Sequence, residues 1–333
     1  MNLNPLSPIY GVIVGVRNTL YDHHILRTSS LEGSVISVGN LSTGGSGKTP
    51  FVILLGELLK ARGIRFDVLS RGYGRKTHGT LLVDPGGLPR DFGDEPLLIA
   101  RRLNVPVVVG ESRYEAGQFA EAKFGPQIHL LDDGLQHRRL ARDFDIVLVT
   151  PDDARDRLLP SGRLREPLRS LQRVDAVVLT SGAPPEAFPL AGKVIWRLRR
   201  GIALEKAELN IPVRPLVFCG IARPQNFLLQ LRAAGIDPAA QASFRDHHAY
   251  TEKDIRDLLQ LRQHSESGGF ITTEKDAVNL GGYLTALAPL TVIPVKMELA
   301  DAANAVDTML RVIEERRRVR EKMPQRATGR QSG

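Results

Sequence analysis

Residues 34–50 read SVISVGNLSTGGSGKTP: a β-branched run from Ser34 to Gly39, a glycine-rich loop, and the start of a helical pattern that continues from Pro50 to Arg62. A strand, a loop and a helix in that order give Ser42, Thr43, Gly44, Gly45, Ser46, Gly47, Lys48 and Thr49 the context of a phosphate-binding loop. Glycines let backbone N–H groups wrap phosphate oxygens, and the helix N-terminus adds positive potential. A lysine at this place reaches the β- and γ-phosphates, and the following hydroxyl is a magnesium ligand, which assigns those tasks to Lys48 and Thr49. The usual pattern begins with glycine where this chain has Ser42. A loop that only capped a helix would explain neither Lys48 nor Thr49.

Working outward, further strand candidates are Phe66 to Ser70, Leu81 to Val83, Val105 to Val109, Ile128 to Leu131, Ile146 to Val149 and Ala176 to Leu179. Helical periodicity lies between several of them, over Glu95 to Arg102 and Arg113 to Lys123. Apolar strands alternating with helices predict an α/β fold with a mostly parallel sheet covered on both faces. The stretch SGAPPEAFP from Ser181 to Pro189 reads as the exit from this nucleotide-binding domain. A smaller α/β unit follows, with strands expected at Leu216 to Cys219, Gly269 to Thr272 and Thr291 to Val295. Its helices are expected over Pro224 to Ala234, Glu252 to Gln263 and Ala300 to Lys322. The expected organisation is an N-terminal amphipathic helix in residues 1–30, a phosphate-loop domain in 31–185, a second domain in 186–322 and a disordered tail in 323–333.

Composition narrows the function classes. The 333 residues exceed one ordinary core, and 42% hydrophobic with 25% charged residues marks an ordinary globular chain. The formal charge is +8, yet Arg311 to Gly333 holds eight basic and three acidic residues and so carries +5 of it. The remaining excess, with only 5% aromatics, argues against a nucleic-acid partner and suits acidic substrates or an anionic lipid surface. A lone Cys219 excludes an intrachain disulfide and points to a reducing compartment. Ile9, Val12, Ile13, Val16 and Leu20 recur at helical spacing, but Arg17 interrupts a run far short of the ~20 residues that a membrane span needs. This segment is either an amphipathic helix at a membrane interface or a packed N-terminal helix.

Two acidic pairs stand near the expected cleft. Asp94-Glu95 opens a helix, where a capping role is the plain alternative. Asp132-Asp133 ends an apolar strand at the carboxyl edge of the sheet, where open α/β folds bind ligands; a turn before Gly134 is the plain alternative there. Carboxylates in such places hold magnesium directly or through water.

Taken together, VGNLSTGGSGKTP (Val38 to Pro50), SRGYGR (Ser70 to Arg75), GDEP (Gly93 to Pro96), LDDGLQHRRL (Leu131 to Leu140), LPSGRLREPL (Leu159 to Leu168), DHHAY (Asp246 to Tyr250) and TTEKDAV (Thr272 to Val278) resemble the tetraacyldisaccharide 4′-kinase family, the lipid A 4′-kinases known as LpxK. The resemblance spans most of the chain. It implies transfer of the ATP γ-phosphate to the 4′-hydroxyl of a membrane-embedded tetraacyl glucosamine disaccharide 1-phosphate, in lipid A biosynthesis. It also implies a peripheral enzyme on the cytoplasmic face of the bacterial inner membrane, with no obligate protein partner. Carried over by motif, Asp94 is the catalytic base and His247 its partner, although the adjacent His248 leaves that choice open. Lys48 and Arg165 serve the phosphates, Thr49, Glu95 and Asp133 the magnesium, and Tyr73, Gln136 and His137 the substrate or nucleotide. Glu274-Lys275-Asp276 receives no role. The alternative function is an ATPase or GTPase switch acting on a protein partner.

Overall fold

The structure, a computed structural model, describes residues 6–203 and 209–322. The tail expected at 323–333 lies outside the described residues. The first half runs α1 (Leu6–Asp22), β1 (Ser34–Asn40), α2 (Lys48–Lys60), β2 (Phe66–Ser70), β3 (Leu81–Leu82), α3 (Pro89–Phe92), α4 (Asp94–Leu103), β4 (Val107–Val109), α5 (Arg113–Phe124), β5 (Ile128–Asp132), β6 (Phe144–Val149), β7 (Ala176–Thr180) and β8 (Val194–Ile202). Then come β9 (Leu216–Cys219), α6 (Pro224–Ala233), β10 (Ala240–Ser243), α7 (Glu252–His264), β11 (Phe270–Thr273), α8 (Glu274–Leu280), β12 (Leu290–Ile293), β13 (Val295–Leu299) and α9 (Ala302–Lys322).

Nine strands form one sheet in the order β13-β8-β7-β6-β1-β5-β2-β4-β3, parallel except at its two outer pairs. Every residue of β1, β2, β5 and β6 is buried, as expected of strands covered on both faces. One face packs on α2, α4 and α9 through Phe51, Leu55, Leu97, Val306 and Met309, and the other on α5 through Ala116 and Ala120. β1 lies between β5 and β6, so the loop after it opens where connections diverge to either side, the place where open sheets hold ligands.

A four-stranded parallel sheet, β10-β9-β11-β12, forms the second unit around Phe218, Phe270, Leu258 and Leu287. The large sheet does not end at residue 185: β8 extends it, and β13 pairs antiparallel with β8. The single strand expected over Thr291 to Val295 is two. Pro294 has no N–H to continue the ladder of β12, and the chain leaves the small sheet there to enter the large one. The second unit is therefore an insertion, with α9 packed back on the first core.

Candidate active site

A cavity of about 1300 Å³ lies between the carboxyl edge of the large sheet and the small unit. Thr43 to Thr49 line it, as do Tyr73, Glu95, Asp132, Asp133, Gln136, His137, Arg165, Asp246, His247 and Lys275. Ser42 is buried off the wall and bridges to Leu164, while the Thr43 N–H donates to the Arg163 carbonyl, 2.8 Å. Gly47 has φ +85°, which admits the turn into α2 without strain, and a Cβ there would meet Met297 Cε at 2.9 Å.

Around the loop, Lys48 Nζ donates to Asn40 Oδ1 at 2.9 Å and lies 3.5 Å from Asp133 Oδ1. Arg165 forks onto both oxygens of Asp133, at 2.9 and 2.8 Å, and also donates to Asn40 Oδ1. Burial opposes the charge of Asp133, yet the Arg165 hydrogen bonds and the Lys48 ammonium hold its carboxyl well below the usual range. Gln136 Nε2 donates to the Asn40 carbonyl, 3.2 Å. Asn40, the last residue of β1, gathers Lys48, Arg165 and Gln136, and sequence reasoning passed over it; its place just before the loop was the available signal.

Asp132 behaves differently from its neighbour. Burial and the charges of Glu95 and Asp133 push it up to about 7, and its Oδ1 has no hydrogen-bond partner. Burial, then the charge of Asp94, likewise raises Glu95. Carboxyls that resist ionisation beside a phosphate loop are short of positive charge. Among the described residues no three His, Cys, Asp or Glu side chains form a ready metal cage. Magnesium needs none, since it commonly takes one or two carboxylates with water and substrate phosphates. The orphan Asp132 Oδ1, the buried Ser46 Oγ that also lacks a partner, and Thr49 beside them suit that ion. His137 is pushed down to about 4 by burial and by Arg113, Arg142 and Arg139, so it faces the cavity as neutral imidazole.

The second half of the site is built across the cleft. Gly93 has φ +91° and precedes α4; a Cβ there would stand 3.0 Å from the Tyr73 carbonyl and 3.2 Å from Gly72. Glycine thus lets the loop bearing Tyr73 abut the start of α4, where Asp94 is buried. Asp94 Oδ2 pairs with His247 Nδ1 at 2.8 Å and accepts from Asn279 Nδ2 at 3.4 Å. Lys275 Nζ stands 3.7 Å from the same oxygen. The Tyr73 ring, largely exposed, tilts over His247 with centroids 5.6 Å apart. His248 instead pairs with Asp254 at 3.1 Å and stacks on Phe244. His247 is therefore the histidine on the cleft, and it adopts φ +58°, a left-handed strain of the kind that clusters at working sites.

Comparison with known proteins matches residues 1–314 to the model of the Tetraacyldisaccharide-1-P 4′-kinase family. A curated tetraacyldisaccharide 4′-kinase of Koribacter versatilis is 50% identical over 321 residues, covering 94% of this chain and 99% of that protein. One of Aquifex aeolicus is 40% identical over 302 residues, covering 86% and 92%. The crystal structure of Aquifex aeolicus LpxK in complex with ATP superposes with TM-score 0.76 at 36% identity, covering 93% of this chain and 98% of that one.

Proposed function

The chain belongs to the tetraacyldisaccharide-1-P 4′-kinase family, and from that premise we propose how its cleft transfers the γ-phosphate of ATP to the 4′-hydroxyl of a tetraacyl glucosamine disaccharide 1-phosphate. The reaction yields the 4′-phosphorylated lipid A precursor and ADP. The observation that carries the reading is the 2.8 Å contact of Asp94 with His247 in a cavity whose other wall is the Lys48 loop. An acceptor pocket with a buried, oriented carboxylate is what a kinase needs and a nucleotide switch does not. Family membership lends the switch alternative no support.

Phosphoryl transfer depends chiefly on positioning and charge neutralisation. Backbone N–H groups of Gly44 to Thr49 cradle the phosphates, and Lys48 meets the β- and γ-oxygens. Arg165 holds Asp133 and adds positive charge beside Lys48. Asp94 takes the proton of the acceptor hydroxyl as its oxygen bonds to the γ-phosphorus and the bond to ADP breaks. His247 orients that carboxylate. Thr49, Asp133, Glu95 and the unpartnered Asp132 Oδ1 would hold magnesium, which supplies charge neutralisation of the triphosphate when bound. Tyr73, Gln136 and His137, all on the cavity wall, are assigned to the substrate or the nucleotide.

The membrane part of the reading rests on α1. Leu6, Ile9, Val12, Ile13 and Val16 are each more than half exposed, along one side of the helix. No described helix is long and apolar enough to cross a membrane. α1 then lies in the interface of the inner membrane, with its apolar side among the acyl chains and the cleft at the lipid surface. Incubation with γ-labelled ATP and the acylated disaccharide 1-phosphate in detergent tests the reaction. Label should enter the lipid, and label recovered only as free phosphate rejects the transfer.

A further inference from the structure

Side chains alternate along a strand, so residues 196, 198, 200 and 202 share one face of β8. Trp196 and Leu198 are buried in the core that α2 covers, and Trp196 meets Phe51 of α2 there with ring centroids 6.5 Å apart. The next place in that row holds Arg200, opposite Met297 of β13 in the antiparallel pair. Its guanidinium lines the cavity beside the phosphate loop. Nη1 lies 3.8 Å, and Met297 Cε 2.9 Å, from where a Cβ on Gly47 would stand. We propose that Arg200 grips the α- and β-phosphates of the bound nucleotide, and so sets the affinity for the donor rather than the rate of transfer.

Among the described residues no carboxylate or carbonyl accepts from Arg200. Arg165, by contrast, is committed to Asp133 and Asn40, and Arg223 to Asp152 at 2.9 Å. Arg223 comes from the inserted unit, just before α6, and its Nε lies 3.3 Å from where a Cβ on Gly45 would stand. Two guanidiniums thus flank the loop, at Gly45 and at Gly47, and one of them has no counter-charge. Desolvation by the surrounding protein, and next the charge of Arg223, hold the pKa of Arg200 below the usual arginine value. An anion beside the loop relieves both effects, and a guanidinium fork matches phosphate oxygens in geometry as well as charge.

The choice of phosphates follows from the part of the loop that Arg200 approaches. The backbone N–H groups of such a loop cradle the α- and β-phosphates, while its lysine reaches on towards the γ-phosphate. Arg200 stands against the backbone at Gly47, whereas the Lys48 ammonium leans towards Asn40 and Asp133. A contact to the α- and β-phosphates is made alike before and during transfer, so it strengthens binding without lowering the barrier between the two. It is also kept in ADP. The inference rests on the reading of ATP as donor at this loop.

The test uses the full chain in detergent, with ATP and ADP titrated in the presence of magnesium and without lipid, and then with the acylated disaccharide 1-phosphate for kinetics. Arg200→Gln should weaken ATP and ADP alike by about 10- to 100-fold, as the loss of a charge-assisted hydrogen bond does. Its kcat at saturating ATP and its KM for the lipid should stay within about threefold of wild type. Arg200→Leu should bind nucleotide as poorly without a lower melting temperature, since leucine suits the row of Trp196 and Leu198. Arg199→Gln, one residue away on the other face of β8, should keep nucleotide affinity within about threefold. Nucleotide affinity that is unchanged in Arg200→Gln, or equally weakened in Arg199→Gln, overturns the proposal. So does a loss confined to ATP, which would move the contact to the γ-phosphate, or a raised lipid KM with nucleotide affinity intact, which would give Arg200 to the 1-phosphate of the acceptor. A melting temperature that falls in Arg200→Leu together with affinity would make the residue a support of the fold and also overturns it. Should the wild type bind nucleotide but transfer no label to lipid, the transfer reading falls and the contact stands on the titrations. Should transfer proceed and Arg200→Gln bind normally, only the role of Arg200 falls.

Discussion

Asp94 is charged in a place that disfavours charge. Burial pushes its carboxyl up, but the His247 hydrogen bond, the Lys275 ammonium and Asn279 outweigh that, and it settles below the usual carboxylate range. Such a group is ready to accept a proton at neutral pH yet is a weak base, which suits a reaction in which the base is secondary to charge neutralisation. Asp94→Asn should therefore reduce kcat by about 10² to 10⁴ and leave ATP affinity within about threefold, as read by steady-state kinetics and nucleotide titration. Near-normal turnover would remove Asp94 from the role. Gly93→Ala should be felt twice, because φ +91° is denied to alanine and its Cβ would press on the Tyr73 carbonyl. A loss of roughly 1–3 kcal/mol in denaturant unfolding is expected, with turnover falling further than stability explains. At this scale the sequence was legible where a residue type is rare and demanding: Lys48, Asp94 and His247 were named from their motifs. Asn40 and Lys275 were not, because ordinary residues reveal their work only through the partners that folding brings to them.

Among the elements, β1, β2, β5, β6 and β7 were readable as buried β-branched runs, and α2 from the loop that starts it. β8 was missed because its burial alternates and Arg197, Arg199 and Arg200 interrupt the apolar pattern. β10, AQAS, has almost no strand propensity and is held by its pairing with β9. α8 carried a signal that went unused: Thr273, three residues before Asp276, accepts that residue's N–H at 3.2 Å as an N-cap. At the opposite end of the large sheet from the cleft, three elements are tied by one fully buried side chain. His129 of β5 contacts Asp67 of β2 at 3.0 Å through Nδ1 and Glu121 of α5 at 3.1 Å through Nε2. Burial pulls its pKa down, but the two carboxylates outweigh this and raise it. The folded chain thus prefers the cation, so this stability is whole below about pH 6.5, the unfolded value, and is lost as pH rises through the higher folded one. His129→Gln should cost about 3 kcal/mol at pH 6 and flatten the decline in melting temperature as pH rises above about 6.5. An unchanged slope would assign that decline to other groups.

For the molecule as a whole, α1 faces two ways. Its polar side grips the site: the Tyr10 hydroxyl donates to the Arg165 carbonyl at 3.0 Å, Arg17 to the Gln136 carbonyl at 2.7 Å, and Asn18 to Glu166 at 2.8 Å. Its apolar side is left to the solvent or a bilayer. Replacing Val12 and Ile13 together with aspartate should release most of the protein from anionic phospholipid vesicles in a flotation assay, with the melting temperature nearly unchanged, since both side chains are exposed. Equal flotation of the variant would reject the interfacial role. The proline-rich stretch after Thr180, expected as the exit from the first domain, lies inside the large sheet, and the nesting was not legible because pairing between β8 and β13 spans almost a hundred residues of chain and leaves no local mark. That nesting has a consequence for synthesis on the ribosome. β13 and α9 are made after every element that they pack against, and Met297 of β13 closes on Gly47. A nascent chain that has just reached residue 294 holds its phosphate loop and its inserted unit, but not the strand whose Met297 stands against Gly47. The wall of the cleft that Val295 and Met297 supply is thus the last part of it to be synthesised.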